Sequence, residues 1–591
     1  MGIQLSSDRQ QSAWTNDGDQ DVEATRMPIL SSTGLLRPSS NWVDRFTFLL
    51  IVFVGALLVI VIGVTSSTNK MVHDLGDKIS TTSSSALGLP GYESLTWTDV
   101  VAQGVQGQVV NVYIDSSSAR MWRWFKYTAK PMVLAKYGIT LNVDTTLATA
   151  KIVELIETEV AAGKTTSGGS VDIFWANGIN YNRAKTGNAM AGYTTGWGST
   201  SSGLGNVLYG PWANKVPSAA AYNWATATIA YDMGTANDGY EMPMWAANFN
   251  LIYRTDIITS PPKTFKELVM LANTLPANGG IQGKFTYWNP SNYITQAFIR
   301  HFLYEGCVTT LSSSVTTAAA YNSATTCSNN YAQYLGSYKQ SLYSANVKNA
   351  FQQLRFLESG FGGASMPSNT KINLEGAAYC TSQSDCMGKF DTGAVYMVME
   401  FSAPYAGSNC ASVGTGTTSW SGDTVQNLAG TGTVDLCANT KAYIPETTGA
   451  IANNNFVMIP KNAANKMGAV AVGNWLGSLD AQYSRRYGSN VDSTCTTSDA
   501  TCNVVNRWIG NFDTTKPEYT GADGGPSWAT AYDYLGAYHN YAQTPDIEYL
   551  RPPYSLPELD PSYGLQMAAD WVTCMELTAS GAAYSTAAPC A

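Results

Sequence analysis

The residues with the clearest binding chemistry stand where predicted strands end and predicted helices begin. Ser116, Ser117 and Ser118 precede a predicted helix, where hydroxyls and free backbone N–H groups can hold a polar or anionic group. Arg120 lies beside them and could clamp an anion through two parallel hydrogen bonds. Tryptophan and asparagine then recur together at later strand ends and helix starts, at Trp175, Asn177, Trp245, Asn248, Trp288, Asn289 and Asn292.

This combination predicts a binding pocket, because aromatic faces with a few polar groups are typical of small-molecule sites. Glu400, at the end of another predicted strand, favours a cationic or neutral polar solute, whereas Arg120 favours an anion. Taken singly, each residue would more often belong to the core or cap a helix, so the prediction depends on their agreement. We expect replacing Trp175 or Trp288 by alanine to weaken binding strongly and to leave the melting temperature nearly unchanged.

The sequence offers few residues for a catalytic or metal-binding site. His73, His301 and His539 are the only histidines, which leaves few candidates for a Ser–His–Asp triad or a histidine zinc site. No G-x-S-x-G motif occurs. The 43 acidic residues always offer carboxylate pairs of the kind that cleave glycosides, but their spacing nominates none. The sequence therefore predicts no enzyme activity, no metal and no cofactor.

The elements that position the first of these residues form a repeated strand–helix–strand unit. Residues 109–114 (VVNVYI), 139–143 and 171–175 (VDIFW) are short apolar runs that suit buried strands. Before the third run, apolar residues recur four apart on one helix face, at Ile152, Ile156 and Val160. Two such units predict three parallel strands whose carboxyl ends share one edge, where open parallel sheets bind ligands.

Three runs of sequence, in this order, carry a family resemblance. They are KYGITLNVDTTLATAKIVELIETEVAAGKTTSGGSVDIFWANGINY (136–181), PMWAANFNLIYRTDIITSPPKTFKELVMLAN (243–273) and NNNFVMIPKNAANKMGAVAVGNWLGSLDAQ (453–482). From Leu95 onward, with insertions, the chain resembles bacterial ABC-transporter solute-binding proteins. The likeness is to the type II periplasmic-binding branch that holds the polyamine, iron and thiamine binders.

The resemblance implies an α/β, two-lobed, type II periplasmic-binding-protein-like fold with hinge crossings. It also implies that a small polar solute is captured between the lobes and delivered to an ABC permease. The alternative is a cell-surface receptor or a structural protein of a surface assembly that reuses the fold without transport. The retained anchor and the cysteine-bearing insertions favour that alternative.

The expected domains follow from this fold. Lobe 1 is predicted to comprise residues 92–245 and 452–520, and lobe 2 residues 246–451 and 521–591. They are preceded by a disordered cytosolic tail (1–45), a single transmembrane helix acting as a signal anchor (46–64) and a Ser/Thr-rich stalk (65–91).

The anchor is predicted from one apolar stretch. The segment from Phe46 to Val64 carries no charged residue and is long enough to span the hydrocarbon core as a helix. A cleaved signal peptide is the competing interpretation, but the apolar run is too long for one and no A-x-A site follows. Gly2 and Ser6 fit the N-myristoylation pattern, or match it by chance. We expect a single-pass membrane protein with a cytosolic N-terminus.

The cysteines place the large domain on the exported side. All ten follow the anchor, and an even count in an exported domain indicates disulfides. They form neighbouring pairs in the sequence: Cys307/Cys327, Cys380/Cys386, Cys410/Cys437, Cys495/Cys502 and Cys574/Cys590. A zinc site is the alternative, but no C-x-x-C occurs. We expect five local disulfides in an extracellular, lumenal or periplasmic domain.

The net charge argues against one class of partner. The formal charge is −9, whereas nucleic-acid binding needs clustered lysine and arginine. We therefore expect a small-molecule solute and the membrane as partners, and no nucleic acid.

Protease accessibility tests the predicted topology. Protease added to intact cells should remove the domain that follows residue 64 and spare a tag at the N-terminus, because only the segment beyond the anchor lies outside. Permeabilised cells, in which both parts should be digested, are the control. Loss of the tag with retention of the large domain would reverse the orientation.

Overall fold

The structure is a computed structural model. It describes residues 87–104, 107–114, 122, 124–176, 178–188, 201–288, 290, 292–310, 315–361, 373–400, 406, 424–428, 431–478, 481, 484, 554–575 and 589–590. The predicted tail, the anchor, most of the stalk and Gly2 lie outside these residues. Within the described ranges, no helix combines the length and the apolar character that a membrane crossing requires.

The described strands, in chain order, are β1 (Val109–Tyr113), β2 (Thr140–Asp144), β3 (Ile173–Ala176), β4 (Tyr231–Asp232), β5 (Thr235–Ala236), β6 (Glu241–Asn248), β7 (Asn250–Arg254), β8 (Val308–Thr309), β9 (Thr325–Thr326), β10 (Met397–Glu400), β11 (Thr424–Gln426), β12 (Thr433–Asp435), β13 (Thr440–Tyr443), β14 (Ala450–Met458) and β15 (Ser555–Pro557). The described α-helices are α1 (Trp97–Gly104), α2 (Lys130–Tyr137), α3 (Thr149–Ala161), α4 (Ile179–Thr186), α5 (Ala227–Ala230), α6 (Phe265–Ala272), α7 (Tyr293–Glu305), α8 (Ala318–Ala324), α9 (Gln340–Ser359), α10 (Gln383–Asp391), α11 (Lys466–Leu476) and α12 (Ser562–Met575).

The larger sheet has the strand order β15–β14–β3–β1–β2, and β6 pairs with the opposite side of β14. β1 pairs in parallel with both β2 and β3, which confirms the predicted repeated strand–helix–strand unit. The carboxyl ends of these three strands share one edge. β14 runs antiparallel to β3 and to β6, so the sheet as a whole is mixed.

Side chains of β3 enter two different cores. Phe174 packs with Ile152 and Ile156 of α3 on one face of the sheet, and Trp175 packs in the cluster of Trp475 on the other. Successive side chains of a strand point to opposite faces, and every residue of β3 is buried. The sheet is therefore covered on both sides at this strand, as the continuous apolar run predicts.

The stretch before α2 contains an irregularity that Pro131 predicts, since proline kinks or divides a helix. Residues Phe125–Ala129 form a π-helical turn that runs directly into α2. Pro131 stands in the first turn of α2, where a missing N–H is best tolerated. The expected break thus takes the form of a change in helix type.

The smaller sheet has the order β10–β7–β13, with β7 antiparallel to both neighbours. Phe265 and Leu268 of α6 pack with Leu251 and Tyr253 of β7 in a core rich in aromatic residues. This core is distinct from those of the larger sheet.

The start of α6 carries the capping box that Thr264 and Glu267 predict. The Thr264 hydroxyl accepts a hydrogen bond from the Glu267 N–H at 3.0 Å. The Glu267 carboxylate reaches back to the Lys263 N–H at 2.7 Å, one residue earlier than the usual pattern. One N–H group that the helix leaves free, and one just before the cap residue, are thereby satisfied.

Residues 285–288, whose apolar aromatic run predicts a strand, form only isolated bridges. Phe285 bridges to Leu374 and Met397, and Trp288 bridges to Cys380. The neighbouring segment turns at Gly376, whose φ of 61° lies in the left-handed region. A continuous ladder is interrupted there, so the prediction of a regular strand is wrong.

Two stretches of chain pass between the sheets. β6 ends at Asn248 in the larger sheet, and β7 begins at Asn250 in the smaller one. On the way back, β13 of the smaller sheet is followed by β14 of the larger sheet, whose first three residues pair with β15. Residues 246–250 and 450–455 are together called the crossing below.

Three of the predicted disulfides are confirmed: Cys307–Cys327, Cys380–Cys386 and Cys574–Cys590. Their partners are 20, 6 and 16 residues apart, so all three are local, as expected. Cys437 is also disulfide-bonded, to a partner outside the described residues. The pairs Cys410/Cys437 and Cys495/Cys502 stay predictions, since Cys410, Cys495 and Cys502 lie outside that part of the chain.

His301 fastens α7 to the crossing. Its Nε2 accepts a hydrogen bond from the Ile451 N–H at 3.0 Å, and its Nδ1 lies 3.2 Å from the Phe298 carbonyl oxygen. Nε2 can accept only while it carries no proton, so these two partners fit a neutral ring with its hydrogen on Nδ1. Burial lowers the pKa of His301 to about 3.

A pH titration tests this neutral imidazole. The unfolded pKa is near 6.5 and the folded pKa about 3, so the contribution of His301 to stability is present above pH 6.5 and declines as the pH falls. The free energy of unfolding of the wild type should fall relative to His301→Gln by about 1.4 kcal/mol per pH unit, between about pH 6 and pH 4. Urea unfolding measures this difference, in which groups common to both proteins cancel. A difference independent of pH would mean that His301 titrates normally.

Candidate functional site

The crossing has a polar interior. Its buried asparagines are Asn248, Asn250, Asn453, Asn454 and Asn455. A buried amide left without hydrogen bonds costs about 1–3 kcal/mol, so a group of them at one place needs specific partners. Those partners connect the crossing to both sheets and to β15.

On the side of the larger sheet, Trp175 and Asn455 are joined directly. The indole N–H of Trp175, near the carboxyl end of β3, donates to Asn455 Oδ1 at 3.0 Å. Trp245 stands opposite Asn455 in the register of β6 and β14. The neighbouring Asn454 amide donates to the carbonyl oxygen of Thr228. Two of the predicted site positions therefore meet at one asparagine.

On the side of the smaller sheet, Asn250 bridges two strands. Its Nδ2 donates to the Asn248 carbonyl oxygen at 3.1 Å and to the Glu400 carbonyl oxygen at 3.2 Å. The Asn248 side chain donates in turn to Ser555 Oγ at 2.9 Å. Two further predicted residues, Asn248 and Glu400, are thus linked through one amide that was not predicted.

Trp288 and Glu400 end neighbouring segments of the smaller sheet. Phe285 bridges in parallel to Met397, and Trp288 and Glu400 each lie three residues further on, at the same edge. The Trp288 side chain is half-buried and packs against the cluster that contains Cys380. An aromatic surface and an acidic residue therefore share this edge.

Asn292 has a local structural role. It caps α7, since its Oδ1 accepts from the N–H groups of Ile294 and Thr295 at 2.9 and 3.4 Å. Contact between Asn292 and a ligand stays a prediction. The remaining predicted positions lie outside the described residues: Ser116, Ser117, Ser118, Arg120, Asn177 and Asn289. Of Trp245 only the backbone is described.

Two buried acids beside the crossing were not predicted. Asp232 in β4 and Glu241, the first residue of β6, are 4% and 0% exposed, and they are called the acid pair below. Asp232 Oδ2 accepts from the Gly178 N–H at 2.5 Å, and both carboxyl oxygens of Glu241 are buried without a hydrogen-bond partner among the described residues. Burial raises the pKa of both carboxyls well above their usual range. The one sequence signal is that Glu241 stands directly before the run MPMWAANFN, which enters the crossing.

A buried ion pair holds the segment after β15 in place. Arg300 of α7 contacts Glu558 at 3.1 Å, with both side chains at most 4% exposed. Arg300 also donates to the carbonyl oxygens of Gln296 and Leu559. Removing one partner would leave a buried charge uncompensated. In addition to burial, repulsion by Glu558 contributes to the raised pKa of Asp232.

One group within the described ranges has the spacing of metal ligands, namely Glu305, Cys307 and Cys327. Its two cysteines form a disulfide and so offer no thiolate. The Glu305 carboxylate accepts from the Lys266 N–H at 3.0 Å, and burial raises its pKa to about 7. These contacts explain why the three residues lie together. Two of them form a disulfide, and the third caps the start of α6.

Comparison with known sequences gives one partial match. No family model matches the chain. Protein YnjB of Escherichia coli (strain K12) is 31% identical over 167 residues, which are 28% of this chain and 36% of that protein. The chain thus spans about a third of the length of this curated relative.

Comparison with solved structures gives similarities to solute-binding proteins of ABC transporters. The Trichodesmium protein IdiA (FutA), in complex with iron and citrate, matches with a TM-score of 0.39 and 13% identity over 78% of this chain and 96% of its own. A solute-binding protein of Thermotoga lettingae, bound with α-D-tagatose, matches with a TM-score of 0.41 and 14% identity over 80% of this chain and 96% of its own. The function proposed below rests on the strand topology and side chains of this chain.

Burial separates the two tryptophans that were expected to behave alike. Trp175 is 9% exposed and belongs to a core of the larger sheet, so Trp175→Ala should lower the free energy of unfolding by about 3–5 kcal/mol. Trp288 is half-buried, so Trp288→Ala should have a clearly smaller effect. Urea unfolding of both variants measures the two losses, and equal losses would contradict this difference in burial.

Proposed function

We propose that the chain is an extracytoplasmic binding protein that captures a small polar solute between two lobes, one built on each sheet. The separate cores of the two sheets support this division. Lobe 1 would comprise residues 92–245 and 452–520, and lobe 2 residues 246–451 and 521–591, of which β15 pairs with the larger sheet at the crossing. The crossing would then be the hinge, since a few residues at strand ends can absorb the motion that closes a cleft.

The observation that carries the proposal is the set of polar and aromatic residues on both flanks of the crossing. On β14, Ala452 pairs with Asn248 of β6, and three residues further on Asn455 accepts from the Trp175 indole. Three residues of extended strand span about 10 Å, a distance that suits a small molecule. Trp288 and Glu400 supply an aromatic surface and an acidic residue at the edge of the smaller sheet, as a solute pocket needs.

The described side chains favour binding without turnover. Covalent catalysis needs a nucleophile beside a base with a free lone pair. His301 has both ring nitrogens engaged with backbone groups. No described cysteine is free. The crossing offers amides and indoles instead, which recognise a solute through hydrogen bonds and aromatic contact.

Anchoring by residues 46–64 and delivery of the solute to an ABC permease are the finer parts of the proposal. The three disulfides support an oxidising compartment outside the cytosol. The three runs of resemblance to ABC-transporter binding proteins (136–181, 243–273 and 453–482) contain β3, β7 and most of β14. The resemblance therefore includes strands on both flanks of the crossing.

Native mass spectrometry of the full chain tests the proposal. The protein released from detergent should carry a small-molecule adduct that disappears on denaturation, because a closed cleft retains its solute. Trp288→Ala and Glu400→Gln should each reduce the affinity for that molecule at least about tenfold, equivalent to about 1.4 kcal/mol.

Tyr396→Ala is the matched control. Tyr396 is also half-buried, but it stands just before β10, at the opposite end from Glu400, so this variant should bind as the wild type does. Absence of any adduct, together with no thermal shift in a panel of sugars, amino acids, polyamines and metal ions, would refute the proposal. An equal loss in Tyr396→Ala would refute the assignment of the site.

A further inference from the structure

The acid pair joins three elements on the flank of the larger sheet. Asp232 belongs to the hairpin of β4 and β5. Gly178, whose N–H donates to Asp232, lies between the end of β3 and the start of α4. Glu241 begins β6, the strand that runs into the crossing. A change in the acid pair therefore acts on the loop after β3 and on β6 together.

Few hydrogen-bond donors reach the acid pair. Neither carboxyl oxygen of Glu241 has a hydrogen-bond partner among the described residues, although both are buried. With both acids ionised, two like charges would repel each other in a site from which water is excluded, which is strongly unfavourable. One shared proton removes this conflict, because Glu241 then donates to Asp232 while Asp232 accepts from Gly178.

The surrounding charged groups do not replace that proton. Lys185 acts on Glu241 and Glu558 acts on Asp232, and the other titratable groups nearby are Tyr181, Asp238 and Tyr240. Lys185 is the one cation among them, and its Nζ is bound to Asp238 at 2.8 Å and to the Ala236 carbonyl oxygen. The Tyr181 hydroxyl donates to backbone carbonyls of the same hairpin. The remaining groups are acids or neutral phenols, so they favour retention of the proton.

We propose that Asp232 and Glu241 form a single-proton latch, which holds the β4–β5 hairpin, the loop after β3 and the start of β6 together while the proton is shared. Loss of the proton at alkaline pH releases the Gly178 N–H and loosens the entry to the crossing. The latch belongs to the folded chain and operates whether or not a solute is bound.

The direction of the pH effect follows from linkage. Both carboxyls bind a proton more tightly in the folded chain than in the unfolded chain. Their contribution to stability is therefore complete below the unfolded pKa of about 4–4.5 and is lost as the pH rises towards the folded pKa. This is opposite to the effect of His301, which destabilises the fold at low pH.

Thermal unfolding of the full chain from pH 5 to pH 9 tests the latch. Glu241→Gln keeps a donor for Asp232 and removes the need for the proton, so it should melt close to the wild type at pH 5. At pH 8.5 it should melt above the wild type by roughly 2–4 °C. Asp238→Asn is the matched control, because Asp238 lies three residues before Glu241 and its side chain is 64% exposed. Its melting temperature should change with pH as that of the wild type does. At pH 8.5 a peptide spanning Gly178 should also exchange its amide hydrogens faster in the wild type than in Glu241→Gln.

Two results would overturn the proposal. Parallel pH profiles for the wild type and Glu241→Gln would show that the acid pair does not gain a proton on folding. A rise in the melting temperature of the wild type at pH 8.5 on adding sodium, potassium or calcium chloride in place of choline chloride, absent in Glu241→Gln, would show that the pair holds a cation instead. Neither readout involves a solute, so each stands apart from the proposed binding function.

Discussion

The fold depends on satisfying polar groups where the chain leaves one sheet for another. A strand that changes sheets loses one set of backbone partners before it gains the next, and buried backbone groups must be paired. Asn250 supplies such pairing by donating to the carbonyl oxygens of Asn248 and of Glu400 in β10. Trp175 satisfies the side-chain oxygen of Asn455 on the returning strand. Trp175 and Asn248, two residues of the predicted site, therefore also take part in the polar contacts of the crossing.

Local pattern predicted the parts of the fold that local contacts determine. The parallel strands β1 to β3 and the cap of α6 follow from apolar periodicity and from side chains three residues apart, and both are present. Residues 285–288 have the composition of a strand, but the segment beside them turns at Gly376. A sequence pattern indicates which secondary structure a segment favours, but it does not indicate whether the neighbouring segment is extended and able to pair with it.

The candidate site was predictable only in part, because its decisive contacts join distant parts of the chain. Trp175 and Asn455 are 280 residues apart, and Asn248 and Ser555 are 307 apart. Position at a strand end or at the first crossing identified one member of each pair, while the run from Asn453 was predicted as the return crossing without any binding role for its asparagines. Asp232 lies in the short strand β4 without any motif, and no periodicity links it to Gly178 or Glu241.

The location of β15 and α12 constrains the order in which the molecule can fold. β15 pairs with the beginning of β14, and Trp571 of α12 lies in the same core as Phe249 and Leu251. The core of the smaller sheet thus remains incomplete until more than three hundred residues beyond Phe249 have been synthesised. Contacts of such long sequence separation close slowly, and an incomplete core exposes apolar surface in the meantime. During synthesis, the β1–β3 region can form early from its own segment, whereas the smaller sheet has to wait, so this chain should depend on protection from aggregation late in its synthesis.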